Sequence, residues 1–253
     1  VGSEMCIRDS LEEICRECDG VMVARGDLGV EVPFEKLPAI QKQLITKCRL
    51  MGKLSITATE MLESMIHNAR PTRAEISDVA NAVYDGTSAV MLSGETAAGR
   101  YPVEAVATMA RIVEQPEGDI PYDKLFWQTE FPIHSTIDAI SHATCAMAID
   151  IHAKAIVACS LSGSTVRMVS RFRPPVDVLG LTTSERSRRM LALSWGVEPM
   201  LCEEVPSTDV LFYTAKKAAQ ARMDLRSGDE IIITGGITNG RSGTTNLLKV
   251  ETI

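Results

Sequence analysis

Asp19–Gly29 reads DGVMVARGDLG. Its first part, Asp19–Arg25, is a short apolar, β-prone run of the kind found in a buried strand of a parallel sheet. It then turns abruptly polar at Arg25-Gly26-Asp27. The same transition occurs twice more. Lys53–Thr59 (KLSITAT) runs into Thr57-Ala58-Thr59-Glu60, and Ser88–Ser93 (SAVMLS) into Ser93-Gly94-Glu95-Thr96. A helical pattern follows each strand. The first spans Pro33–Met51, with Leu37, Ile40, Leu44, Ile45 and Cys48 on one apolar stripe, prolines near its start and Gly52 at its end. Two shorter patches cover Glu60–His67 and Arg73–Tyr84, and a further helix is predicted over Pro102–Glu114. Strand starts recur roughly every 34 residues, the spacing of βα units. Polar residues just after each strand fall where parallel α/β folds build their sites. Three strands do not close a barrel of eight, so this half reads as part of a (β/α)8 TIM-type barrel.

Residues 116–133 carry Pro, Gly and Asp with aromatic Tyr122, Phe126, Trp127 and Phe131, and read as an anchored linker. A second α/β unit follows over 134–253. Ser135–Ile151 has a strong apolar helical face. Strands are predicted at Ala155–Cys159, Val176–Leu181, Val197–Leu201, Glu230–Thr234 and Leu247–Ile253, with helices at Ser164–Phe172, Ser184–Leu193 and Thr208–Met223. The fold class is therefore α/β, a partial barrel and then a smaller layered domain.

Composition narrows the function. The 253 residues are 45% hydrophobic and 23% charged, with a net charge of −7, which suits a globular chain. The acidic balance argues against non-specific nucleic-acid binding, and aromatics at 4% argue against a base-stacking platform. No apolar run reaches the roughly 18–20 residues of a membrane-spanning helix. The seven cysteines are odd in number and scattered through apolar stretches, as in a reduced, cytoplasmic protein. Cys15-Arg16-Glu17-Cys18 is formally a CxxC, but it has no second pair with which to hold zinc.

Several short runs carry candidate chemistry. Asp27, at a strand end, is either a hard oxygen ligand suited to Mg2+ or a helix cap. Thr57 and Thr59 either share an inward face or leave Thr59 at the rim as a hydroxyl donor. Arg70 and Arg73 either recognise an anion or pair with Glu75 and Asp78 in a solvated loop. Ser160-Leu161-Ser162-Gly163-Ser164-Thr165 joins a strand to a helix and offers more hydroxyls than one helix cap needs, so a phosphate site is favoured over an ordinary cap. A second Gly-rich turn, Gly240-Arg241-Ser242-Gly243-Thr244-Thr245-Asn246, is placed to fold over the same anion. His67, His134, His142 and His152 show no ligand spacing and read as surface or helix-face residues.

Taken together, Asp19–Gly29, Thr57–Met65 (TATEMLESM), Arg70–Glu75 (RPTRAE), Asp78–Ala82 (DVANA) and Met91–Thr96 (MLSGET) resemble the pyruvate kinase family, in order and in spacing. The resemblance runs from about Leu11 to Ile253. It implies the last three βα units of that family's barrel over 11–115, then its C-terminal regulatory domain. Residues 1–10 do not fit the family and are expected to be a foreign leader, such as translated adapter sequence, outside the fold.

The resemblance implies glycolytic phosphoryl transfer between phosphoenolpyruvate and ADP, giving pyruvate and ATP, with Mg2+ and K+. By motif, Asp27 corresponds to a Mg2+ ligand, Gly26 and Asp27 to backbone donors for the substrate carboxylate, and Thr59 to a substrate-contacting threonine. The family's catalytic lysine, second Mg2+ carboxylate and K+ ligands lie ahead of Leu11 in the family's order. The 253 residues alone are therefore expected to be inactive. Ser160, Ser162, Gly163, Ser164 and Thr165, with Arg241, Ser242 and Gly243, correspond to an effector phosphate site, and Ser242–Asn246 resembles bacterial members. The effector that the resemblance implies is a phosphorylated metabolite: a sugar monophosphate, AMP or fructose 1,6-bisphosphate. A homo-oligomer, tetrameric in the family, is implied as well. The competing reading is a phosphometabolite-binding or assembly module without catalysis.

Overall fold

The computed structural model describes residues 4–236 and 243–253, with side chains from Ser10 onward. The chain divides into two compact units, 1–120 and 121–253.

Unit 1 opens with helix α1 (Glu4–Glu17), which leads into strand β1 (Gly20–Ala24). The helix runs unbroken through Ser10 and Leu11, so the stretch 1–10 expected outside the fold supplies its first turns from Glu4 on. Its described part is held by burial: Leu11 and Cys15 pack with Val23 and with Leu44, Ile45 and Cys48 of helix α3 (Leu37–Leu50). A short helix α2 (Arg25–Glu31) and a 3-10 turn at Phe34–Lys36 precede α3. The single helix expected over Pro33–Met51 thus tightens in its first turn and becomes regular at Leu37, with Pro38 placed where its missing N–H costs nothing.

Strand β2 (Leu54–Ala58) pairs in parallel with β1, and β3 (Ala89–Met91) with β2, in the order β1-β2-β3. The patch expected to be helical from Glu60 is only a 3-10 turn at Glu63–Ile66. Thr59 and Glu60 take left-handed backbone angles, φ +71° and +53°, from which no right-handed helix starts. Helix α4 (Arg73–Tyr84) begins at a capping box in which Thr72 and Glu75 satisfy each other's backbone N–H groups. A one-turn helix α5 (Gly94–Ala97) follows β3, and α6 (Pro102–Asp119) closes the unit. Met61, Leu62 and Met65 pack with Val79 and Ala82 of α4 and with Ala105 and Met109 of α6.

The expected linker is largely helical. Helix α6 continues past Glu114 to Asp119, with Pro116 in its last turn, where only one intrahelical bond is forfeited. Helix α7 (Tyr122–Gln128) begins unit 2. Its Phe126 is 2% exposed and stacks on His142 at 4.9 Å between centroids, beside Phe131 and Phe172. Phe126, with Phe131 packed against it, therefore belongs to the core of unit 2, whereas Trp127 is exposed.

Helix α8 (Thr136–Asp150) starts from a Ser135–Asp138 capping box. Strands β4 (Ala155–Cys159), β5 (Val178–Thr182), β6 (Val197–Leu201) and β7 (Glu230–Gly236) are parallel, and β8 (Thr245–Thr252) is antiparallel to β7. The sheet order is β6-β5-β4-β7-β8. Helices α9 (Ser164–Ser170), α10 (Glu185–Leu191) and α11 (Thr208–Arg222) make the crossovers. Side chains of β4 alternate between two cores. Ile156 and Ala158 pack with Val166, Phe172 and Leu191, while Ala155, Val157 and Cys159 pack with Leu179, Leu211 and Ala215. Burial on both faces explains why β4 reads as an unbroken apolar run.

Candidate functional site

The strand ends of unit 1 are joined by Arg25. It is 9% exposed, and its Nη1 donates to both carboxylate oxygens of Asp78, at 2.7 and 2.6 Å. Its Nε donates to the carbonyls of Ala58 (3.3 Å) and Thr59 (3.2 Å), and its Nη2 to Thr59 again. The planar guanidinium therefore grips the left-handed turn at Thr59–Glu60 from beneath. Next to it, the Gly26 N–H donates to Thr59 Oγ1 at 2.9 Å, linking two of the residues singled out by motif.

Thr57 and Thr59 do not share a role. Thr57 is fully buried and donates to Thr87 Oγ1 at 3.0 Å, whereas Thr59 sits half-buried at the rim. Asp27 is exposed in the first turn of α2, whose N-cap is Ala24, so Asp27 does not cap that helix. Among the described residues its carboxylate makes no ion pair, and no group of three His, Cys, Asp or Glu gathers into a metal cluster. One free carboxylate fits Mg2+, which is commonly held through one or two carboxylates, water and substrate phosphate.

Arg70 and Arg73 are exposed, and the acids considered as their partners are taken elsewhere. Asp78 pairs with Arg25, and Glu75 accepts from Ser64 N and Oγ as well as from Thr72. Burial works against ionisation of Glu75, but the hydrogen bonds from Ser64 and Thr72 outweigh it and hold the carboxyl below its usual range. Glu95, which the sequence placed in the polar run after the third strand without a role, is fully buried and accepts from Leu62 N (2.9 Å) and Ser93 N (2.8 Å), tying the loop after β3 to the loop after β2.

Unit 2 carries a cavity of about 360 Å3 at the carboxyl ends of its parallel strands. It lies where the strand order reverses, with β5 on one side of β4 and β7 on the other, which is the ligand crevice of doubly wound sheets. Ser160, Thr165 and Gly243 line it together with Thr182, Thr183, Thr244 and Thr245. The two Gly-rich turns therefore do meet, and Thr165 Oγ1 and Thr245 Oγ1 share a buried hydrogen bond of 2.6 Å. Ser162, Gly163 and Ser164 are not among its lining residues, and Ser162 Oγ donates to Ser164 Oγ at 3.2 Å. Gly163, with φ +79°, makes the left-handed turn into α9. Arg241 and Ser242 lie outside the described residues.

Sequence reasoning also missed Glu203 and Glu204, exposed acids on the cavity wall that make no ion pair among the described residues. Their charge opposes a ligand that is anionic at both ends. Among the described residues, Cys15, Cys18, Cys48, Cys145, Cys159 and Cys202 form no disulfide. Cys15 and Cys48 lie 4.0 Å apart, and burial pushes the Cys48 thiol up to about 12. Cys159 is likewise pushed to about 12, by burial and then by Cys202.

Two family models match this chain: the pyruvate kinase barrel domain over residues 3–106 and the pyruvate kinase alpha/beta domain over 138–251. The chain belongs to the pyruvate kinase family. The barrel match begins inside the stretch 1–10 that sequence reasoning set apart. A pyruvate kinase of Clostridium acetobutylicum is 47% identical over 246 residues, covering 97% of this chain and 52% of that protein. One from Staphylococcus epidermidis is 49% identical over 246 residues, covering 97% of this chain and 42% of its own length. A crystal structure of a pyruvate kinase from Cryptosporidium parvum superposes with a TM-score of 0.87 at 39% identity, covering 96% of this chain and 48% of that one. The chain thus spans about half the length of the curated relatives it matches. The two units correspond to the end of the pyruvate kinase barrel and its C-terminal α/β domain.

Proposed function

We propose that these residues form the C-terminal part of an enzyme transferring a phosphoryl group between phosphoenolpyruvate and ADP, giving pyruvate and ATP. The observation that carries this reading is the rim of unit 1: an exposed Asp27 carboxylate beside the Gly26 N–H to Thr59 Oγ1 bond of 2.9 Å, in the positions the family motif requires. Asp27 is the residue that would hold Mg2+, and the ion supplies charge neutralisation for the transferring group. The Asp27 backbone N–H, in the first turn of α2, is the one offered to the substrate carboxylate; the Gly26 N–H, expected from the motif to share that role, is taken by Thr59 Oγ1. Thr59 accepts from Gly26 and keeps its own hydroxyl proton for an anionic oxygen. K+ and an oligomeric assembly are part of the same family-based proposal, as is a cytoplasmic location. Among the described residues no helix is long and apolar enough to cross a membrane.

The test uses the Clostridium acetobutylicum pyruvate kinase with its matching segment replaced by this chain. Replacing Asp27 with Asn in that chimaera should raise the Mg2+ requirement and lower turnover about 10²–10³-fold, the cost of one lost charge-stabilising contact to a transition state. Near-normal turnover at low Mg2+ would remove Asp27 from the site.

The cavity of unit 2 supports a regulatory site for a phosphorylated metabolite, and it is also what a purely binding or assembly module would use. Its hydroxyls suit one phosphate, and Glu203 and Glu204 suit the hydroxyls of a sugar rather than a second phosphate. Titration of the chimaera with AMP, ribose 5-phosphate, glucose 6-phosphate and fructose 1,6-bisphosphate tests this, with a monophosphate expected to activate. Activation by none of them would leave the cavity without a regulatory role.

A further inference from the structure

We propose that Arg25, held by Asp78, is a positioning residue for the phosphoenolpyruvate-binding end of unit 1 and acts through Thr59. The inference rests on the reading of that rim as a substrate site and extends it to a residue that touches no substrate. Thr59 and Glu60 are consecutive non-glycine residues with positive φ, +71° and +53°. Such angles cost free energy and persist only where surrounding structure enforces them. Arg25 is what enforces them. Its Nε and Nη2 both reach the Thr59 carbonyl, its Nε also reaches that of Ala58, and its Nη2 contacts Met61 Sδ one residue past the turn. The remaining nitrogen, Nη1, is fixed by the two-oxygen contact with Asp78, so the guanidinium cannot swing away.

The consequence reaches the rim. With its carbonyl pinned, Thr59 presents Oγ1 to the Gly26 N–H at 2.9 Å. A hydroxyl that accepts this bond directs its proton elsewhere, and the half-buried side chain leaves solvent as the direction. Arg25 thereby sets which way the Thr59 hydroxyl donates. Lysine would keep the charge and one contact to Asp78, but it lacks the planar fork that holds a carbonyl and a carboxylate at once.

The experiment is a double-substitution cycle in the same chimaera, read as kcat/KM for phosphoenolpyruvate, KM for ADP and thermal midpoint. Arg25→Lys is expected to lower kcat/KM for phosphoenolpyruvate about 10–100-fold and leave KM for ADP unchanged, because the defect is one of placement. In a Thr59→Val background the same substitution should cost less than about twofold, because the hydroxyl it positions is gone. Asp78→Asn, which keeps shape and loses charge, should show the same dependence on Thr59 and serves if Arg25→Lys yields no folded enzyme. Equal losses in both backgrounds, or an unchanged kcat/KM, would overturn the inference while the functional reading stood. An unsubstituted chimaera that folds but does not turn over would overturn the functional reading, and this inference with it.

Discussion

The two sheets are built alike and covered differently. In unit 2 both faces of β4 and β5 are buried, and Ile156, Val157, Leu179 and Val178 are wholly inaccessible. In unit 1, β1 has Val23 buried but Met22 half exposed, and its three strands form an open ribbon. The polar ends differ in the same sense. Unit 2 closes its strand ends around a cavity, whereas unit 1 presents a rim of Asp27, Gly26 and Thr59 to solvent. The contrast teaches that unit 2 encloses a crevice of its own at its strand ends, while unit 1, which also has a core, leaves its polar strand ends open to solvent.

The largest expected effect separates the two cores. In the 253-residue chain, Leu179→Ala should destabilise unit 2 by about 2–5 kcal/mol, since it opens a cavity in a sheet packed on both sides. Met22→Ala should change stability by less than about 0.5 kcal/mol, since half of that side chain is already in water. Denaturant melts of the two variants check this, and similar costs would erase the contrast between the sheets.

A smaller effect concerns pH in unit 2. Burial lowers the pKa of His142, stacked on Phe126, and the nearby Arg171 cation lowers it further. Other groups here are Asp138, which pairs with Arg171 at 2.9 Å, and Cys145. A histidine kept neutral by folding binds fewer protons than in the unfolded chain, so its contribution is fully present above its usual pKa of about 6.5 and is lost as pH falls from there through the folded value. Asp138 is held below its usual range because hydrogen bonds from Ser135 and His134, with Arg171, outweigh its burial, so its contribution persists to lower pH. The thermal midpoint should therefore fall between neutrality and mildly acidic pH in the native chain and stay flatter in His142→Asn. An unchanged slope would remove His142 as its source.

Much of this was legible in the sequence. The parallel strands were readable because two-sided burial leaves an apolar run, as at Ala155–Cys159, which appears in the structure with the same bounds. The strand-end clusters were readable because such folds place polar residues there. The helical character of 116–133 was not, because Pro116 and the aromatic residues look like linker punctuation until Phe126 is seen in the core. The short turn after Thr59 was hidden for another reason: the left-handed angles at Thr59 and Glu60 go with a contact to the Thr59 carbonyl from Arg25, 34 residues away in the sequence. Glu203 and Glu204 carried no local pattern, and only the meeting of four strand ends makes them part of a cavity wall.

The central claim is that unit 1 supplies one wall of a phosphoryl-transfer site and not the whole of it. A lactate-coupled assay for phosphoenolpyruvate-dependent ATP formation tests it most directly, run side by side on the purified 253-residue chain and on the Clostridium acetobutylicum enzyme carrying this chain in place of its own matching segment. The account predicts no turnover from the first and turnover of the same order as the unaltered relative from the second. Turnover from the 253 residues alone, or a folded chimaera without activity, would contradict it.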